Sequence, residues 1–160
     1  MTAESVEIEI DSPEAMRRFG EKIGRQILPG DIVLLHGDLG AGKTTLTQGI
    51  LRVLGVTTAV NSPTFVLISE YSGQVANGEP VEIRHIDLYR LSDQSELESI
   101  GFLDIIDDPQ GITIVEWPER AGDCLPPAYI LVTFRFAGPD SRKLEIRIEP
   151  PGDRLLALVS

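Results

Sequence analysis

Apolar and polar positions change rhythm several times along this chain, and each rhythm predicts a different element. "SVEIEI", residues 5 to 10, alternates with a period of two, as a half-covered strand does. From Ser12 the repeat becomes helical: Met16, Phe19, Ile23 and Ile27 share one face and read as core. Ser12 stands where an N-cap belongs, Pro13 at the first helical position and Glu14 in the first turn. "LPGD" then turns the chain into "DIVLLHG", whose unbroken apolar centre suits a strand covered on both faces. "KTTLTQGILRVLG" predicts a helix stopped at Gly55.

Past a polar stretch, "FVLISEY" and "EIRHIDLY" predict strands joined by the glycine-rich connection "SGQVANGEP". "DQSELESIG" predicts a short acidic helix, "GITIVEW" another apolar strand, and "YILVTFRFA" and "KLEIRIE" two more around the turn "GPDS". The tail "DRLLALVS" reads as a last helix. Helices and strands alternate early, and strands dominate late. The expected fold is α/β: a P-loop NTPase-like sheet, parallel at its centre with antiparallel edge strands and helices on both faces. Residues 1–160 are expected to form a single domain; strand order is not legible from such a pattern.

The chemistry concentrates between the second strand and its helix. "GDLGAGKTT", residues 37 to 45, completes G-x-x-x-x-G-K-[ST] with Gly37, Gly42, Lys43 and Thr44. Such a pattern arises by chance in roughly one chain of this length in 200, taking glycine at about 7%; here it also follows an apolar strand and opens a helix. Gly37, Asp38, Leu39, Gly40, Ala41, Gly42, Lys43, Thr44 and Thr45 are therefore the expected phosphate cradle, built of inward backbone amides and a helix N-terminus. Lys43 would reach the β and γ phosphates, and the Thr44 hydroxyl would ligate magnesium. A nucleoside triphosphate is the predicted ligand.

A second acid usually stands at the end of a neighbouring strand. Glu116 ends the apolar run "ITIV" and is favoured for the metal; Asp87, in the more mixed "RHIDLY", stands close behind. "NSPTF", residues 61 to 65, lies where nucleotide switches place a threonine that senses the γ-phosphate, so Thr64 is a candidate, although an ordinary turn threonine reads the same way. No N-K-x-D guanine-reading pattern occurs, and "DPQG" is only a short match to D-x-x-G, so adenine, and hence ATP, is favoured by elimination. His36 and His85 read as packed or partly exposed histidines, not in metal spacing with cysteine; Trp117 reads equally as core or as a cover of the site. There is no long arginine-rich lid segment, which counts against a small-molecule kinase. With no arginine in or beside the loop either, slow hydrolysis in isolation is expected, with Arg90 or Arg120 as candidates within the chain.

Composition narrows the partners. A net charge of −11 disfavours direct capture of nucleic acid and otherwise suits an acidic, soluble surface. The one cysteine, Cys124, excludes an internal disulfide and reads as a small packed apolar residue. The acidic beginning lacks a signal pattern and no apolar run approaches the ~18 residues of a membrane helix, so a cytoplasmic protein is expected.

Taken in order, "GDLGAGKTT", "SPTF", "HIDLYRL", "SELESIG" and "VEWPER" resemble the TsaE family (also called YjeE) of small bacterial P-loop ATPases, over about residues 30 to 120. The resemblance implies an ATPase required for the threonylcarbamoyl modification of adenosine in tRNAs that read codons beginning with A. It implies work on a complex of the TsaB and TsaD proteins, TsaD being the transferase component, with tRNA met only through that complex. Carried over by motif, Thr44 and Glu116 would ligate magnesium, Asp87 would be the second acid, and Thr64 would lie in a switch-like loop. A self-contained kinase and a module whose nucleotide only stabilises an interface remain the alternatives.

Overall fold

The computed structural model describes residues 5–56, 68–152 and 154–159. Among them, β1 (Val6–Ile10), β2 (Ile32–His36), β3 (Ile68–Gln74), β4 (Pro80–Asp87), β5 (Ile112–Glu116), β6 (Tyr129–Phe136) and β7 (Arg142–Glu149) form one seven-stranded sheet. Its order is β1-β7-β6-β2-β5-β4-β3. The central strands β6, β2, β5 and β4 run parallel, while β7, β1 and β3 are antiparallel additions at the two sides. The expected mixed sheet is therefore present.

Side-chain alternation splits the interior into two layers. Val33, Leu35, Ile83, Ile112 and Ile114 point to one face, where they pack with α1 (Pro13–Gln26), α2 (Lys43–Val53) and α5 (Arg154–Val159). Ile32, Leu34, Ile86 and Val115 point to the other and meet α3 (Ser95–Ser99), α4 (Phe102–Ile106) and the 3-10 helix Pro118–Cys124. Helices thus lie on both faces. The cap of α1 is the expected one: the Ser12 hydroxyl accepts from the amide of Ala15 at 3.1 Å.

Two readings change. β3 continues through Ser72, Gly73 and Gln74, which the composition had placed in the connection; their pairing with Glu82, Val81 and Pro80 leaves only a tight hairpin between the strands. The helix α4 and the 3-10 helix went unpredicted; neither has a side-chain N-cap to mark its start. "NSPTF", with Thr64 and Phe65, lies outside the described residues.

α1 and α2 cross with backbone against backbone. A β-carbon built on Gly20 would stand 2.2 Å from the carbonyl oxygen of Leu46, and one on Gly49 would stand 2.1 Å from that of Arg17. Only glycine at both positions permits this approach, which seats the helix carrying the loop's lysine. α1 is tied in turn to the far end of the chain: the Arg154 guanidinium donates to Asp31 Oδ1 at 2.9 Å and to the Gln26 carbonyl at 2.8 Å. Among the described residues, no helix is long and apolar enough to cross a membrane.

Candidate functional site

The apolar run of β2 ends at His36, and residues 37–42 turn the chain into α2. Gly40 and Gly42 hold φ values of 79° and 109°, a left-handed region that side chains rarely tolerate. The turn is closed by the Ala41 amide on the Asp38 carbonyl at 3.2 Å, and α2 begins with Leu46 N–H on the Gly42 carbonyl at 2.9 Å. No side chain caps α2 and its first turn carries no acid, so its N-terminal amides and partial positive charge face outward, as an anion site requires.

Lys43 is the first residue of α2 and is only 5% exposed. Its ammonium donates to the Gly37 carbonyl at 2.5 Å and lies 3.9 Å from the centre of the Trp117 ring. Burial pushes its pKa below the ordinary lysine value; the charges of Glu116, then Asp87, Glu119 and Asp38, act against that shift.

The two candidate acids are neighbours by strand pairing. Asp87 ends β4, Glu116 ends β5, and the parallel register sets them side by side. Alternation puts both on the face of Ile83, Ile112 and Ile114, the face on which α2 begins. Both are buried, at 8% and 3% exposure, where a carboxylate needs a partner. Asp87 Oδ1 accepts the Tyr89 amide at 2.9 Å, and Glu116 Oε2 lies 2.7 Å from Nε2 of His85. His85 is thus a fully buried partner of an acid, a role its sequence reading did not include.

Trp117 resolves the even choice between core and cover in favour of both. It packs against the second core layer and spreads its ring over Lys43. Its φ of 58° is the one positive value at a non-glycine residue among those described, a conformation that costs about 1–2 kcal/mol for an L-residue. Tyr89 packs beside it with the rings tilted by 43° and 4.9 Å between ring centres, and the Arg120 guanidinium lies 5.9 Å from the Tyr89 ring. At the rim, the half-exposed His36 Nε2 meets Glu119 Oε2 at 2.7 Å. Cys124 is half-buried against the second core layer, in keeping with a packing role.

One neighbour of the loop comes from far along the chain. No arginine is near the loop in sequence, but Arg142, 102 residues beyond it, donates to the Gly40 carbonyl at 3.3 Å. The fold brings it there because β7 begins beside the loop's outer flank. Arg142, Asp140, Ser12, Met16, Gly42 and Thr45 line a cleft of about 140 Å³ on that flank, away from the two acids.

Among the described residues no three His, Cys, Asp or Glu side chains form a metal cage. The paired carboxylates of Asp87 and Glu116 are hard oxygen donors, as is the hydroxyl of Thr44, the second residue of α2. That set fits magnesium, which is normally held by one or two carboxylates and completed by phosphate and water rather than by a full protein cage.

Strand, glycine loop and helix, with paired acids on the adjoining strand ends, define this as a P-loop NTPase-like α/β protein. The sequence model of the family described as "Threonylcarbamoyl adenosine biosynthesis protein TsaE" matches residues 10–144, and the chain belongs to that family. The tRNA threonylcarbamoyladenosine biosynthesis protein TsaE of Haemophilus influenzae is 41% identical over 137 residues, covering 82% of each chain. Its namesake in Bacillus subtilis is 38% identical over 133 residues, 83% of this chain and 79% of that one. The crystal structure of Bacillus subtilis YdiB superimposes with a TM-score of 0.76 at 30% identity, over 99% of this chain and 93% of that one. The protein is thus a member of a family of tRNA threonylcarbamoyladenosine biosynthesis.

Proposed function

We propose that this protein is the magnesium-dependent ATPase subunit of that biosynthesis, acting in the cytoplasm on a complex of the TsaB and TsaD proteins. The observation that carries the reading is the convergence of Lys43, Asp87 and Glu116 at the mouth of the glycine loop. The amides of residues 37–45 and the Lys43 ammonium hold the β and γ phosphates, a task for which Lys43 exchanges its bond to the Gly37 carbonyl. Thr44 and Glu116 hold the magnesium ion, and Asp87 is the second acid beside it. When bound, magnesium supplies charge neutralisation at the phosphate oxygens. Thr64 is assigned the sensing of the γ-phosphate. The adenosine moiety is assigned to the cleft along Ser12, Met16 and Arg142, on the flank of the loop opposite the acids.

A net charge of −11 suits a subunit that leaves tRNA to its partners. It also suits slow hydrolysis in isolation. Negative charge developing on the γ-phosphate meets two carboxylates and a single buried lysine, and an arginine supplied from elsewhere is worth roughly 10³–10⁵ in rate. Arg90 and Arg120 are the candidates within this chain. The expected result is a slow ATPase alone and clear stimulation by TsaB and TsaD together, assayed at saturating ATP and magnesium. Equal turnover numbers with and without the partners would remove the partner-dependent reading and move weight to a self-contained enzyme, which a transferable phosphate acceptor would then reveal.

The acids separate in a second measurement. Glu116→Gln is expected to weaken the magnesium dependence of ADP binding more than Asp87→Asn does. The reverse order in a calorimetric titration hands the metal to Asp87.

A further inference from the structure

His85 is fully buried in β4, and nothing in the assignment above uses it. Its Nε2 lies 2.7 Å from Glu116 Oε2; its Nδ1 is the one buried side-chain nitrogen or oxygen without a hydrogen-bond partner among the described residues. As a magnesium ligand Glu116 would be an ionised carboxylate, which only accepts, so the proton of this bond would sit on Nε2. The ring therefore commits its donor to Glu116, while the other nitrogen finds no bond among the described residues. A buried polar atom without a bond is disfavoured, a cost an apolar residue here would not incur.

Strand pairing explains the reach. His85 is level with Ile114, two residue pairs back from the Asp87–Glu116 pair. Alternation sets His85 and Asp87 on the same face of β4, so the imidazole lies directly behind the two acids. Glu116 ends β5 next to the turn at Trp117, and a partner fixed in the neighbouring strand holds one oxygen of its carboxylate in place. We infer that His85 is a positioning residue for Glu116: its Nε2–H holds Oε2 and thereby sets the direction in which Glu116 meets a metal-bound nucleotide. The inference rests on the assignment of Glu116 to magnesium, and it adds a residue that acts through Glu116 without touching the ligand. Partners of this kind typically change metal affinity by about 10–100-fold when removed.

The test is calorimetric titration of the full chain with ADP, once with excess EDTA and once with saturating magnesium. The wild type is compared with His85→Leu, His85→Gln and His85→Asn. The glutamine amide nitrogen extends about as far along its side chain as Nε2, whereas that of asparagine stops near the position of Nδ1. His85→Leu and His85→Asn are expected to keep the EDTA affinity within about twofold and to lose roughly tenfold or more of the gain that magnesium gives. His85→Gln is expected to retain most of that gain. Folded Leu and Asn variants with the full magnesium gain overturn the inference, as does a Gln variant no better than Asn. Should His85→Leu fail to fold, the Gln and Asn pair decides. A wild type that binds ADP with no magnesium gain overturns the metal assignment itself, and a wild type that binds no ADP overturns the nucleotide reading; both are separable from a failure confined to the His85 variants.

Discussion

Lys43→Ala is expected to weaken ADP binding by roughly 30- to several-thousand-fold while leaving the fold in place. The range converts the about 2–5 kcal/mol that follows from truncating one side of a buried charge pair. Lys43 is suited to so large an effect because its ammonium is already stripped of most of its water: it is 5% exposed, held by one carbonyl and roofed by Trp117. A phosphate meeting it gains a charge-assisted bond without the cost of desolvating an exposed lysine. Calorimetry reads the affinity, and circular dichroism with thermal melting reads the fold. Undiminished ADP affinity in a folded Lys43→Ala protein would remove the phosphate-loop assignment.

Gly49→Ala is expected to destabilise the chain by about 3 kcal/mol, the upper part of the usual range for overpacking, and to lower Tm by roughly 10 °C. The added carbon would meet the Arg17 carbonyl oxygen at 2.1 Å, a backbone atom with no rotamer through which to retreat, so α1 and α2 must separate. At an exposed helix position the same change would be stabilising by about 1 kcal/mol, so the sign of the effect is diagnostic. A melting temperature equal to or above wild type would show that the two helices do not cross at this distance. Because α2 carries Lys43, nucleotide affinity should fall with stability even though Gly49 is remote from the loop.

The contrast between these two residues marks what the sequence could disclose. Lys43 was legible because its neighbours in the chain are its neighbours in the site: Gly37, Gly42 and Thr44 make a contiguous pattern. The Ser12 cap and the apolar core of β5 were legible for the same local reason. Gly49 left only a weak trace, a glycine inside a helix at a cost that asks for an explanation, and its partner Gly20 lies on another helix. His85 could be placed on the face of Asp87 by period-two alternation, yet its bond to Glu116 depends on how β4 and β5 are registered, 31 residues apart. Arg142 reaches Gly40 only because β6 and β7 follow β2 in the sheet on the loop's flank, a strand order no single-chain pattern encodes. For the acids, the sequence named both but could not show that they stand side by side.

The roof over Lys43 also makes the protein its own optical instrument. Trp117 is the single tryptophan of the chain, so every photon of indole emission comes from the ring that has the Lys43 ammonium 3.9 Å from its centre and Tyr89 at its side. Indole emission responds to the electric field across the ring, and the charge nearest this ring is the one assigned to meet phosphate. Events at the loop therefore have a spectroscopic channel that needs no dye and no labelled nucleotide. The same ring couples the loop to the 3-10 helix that begins at Pro118, so a change in emission would also register motion of the surface carrying Glu119 and Arg120.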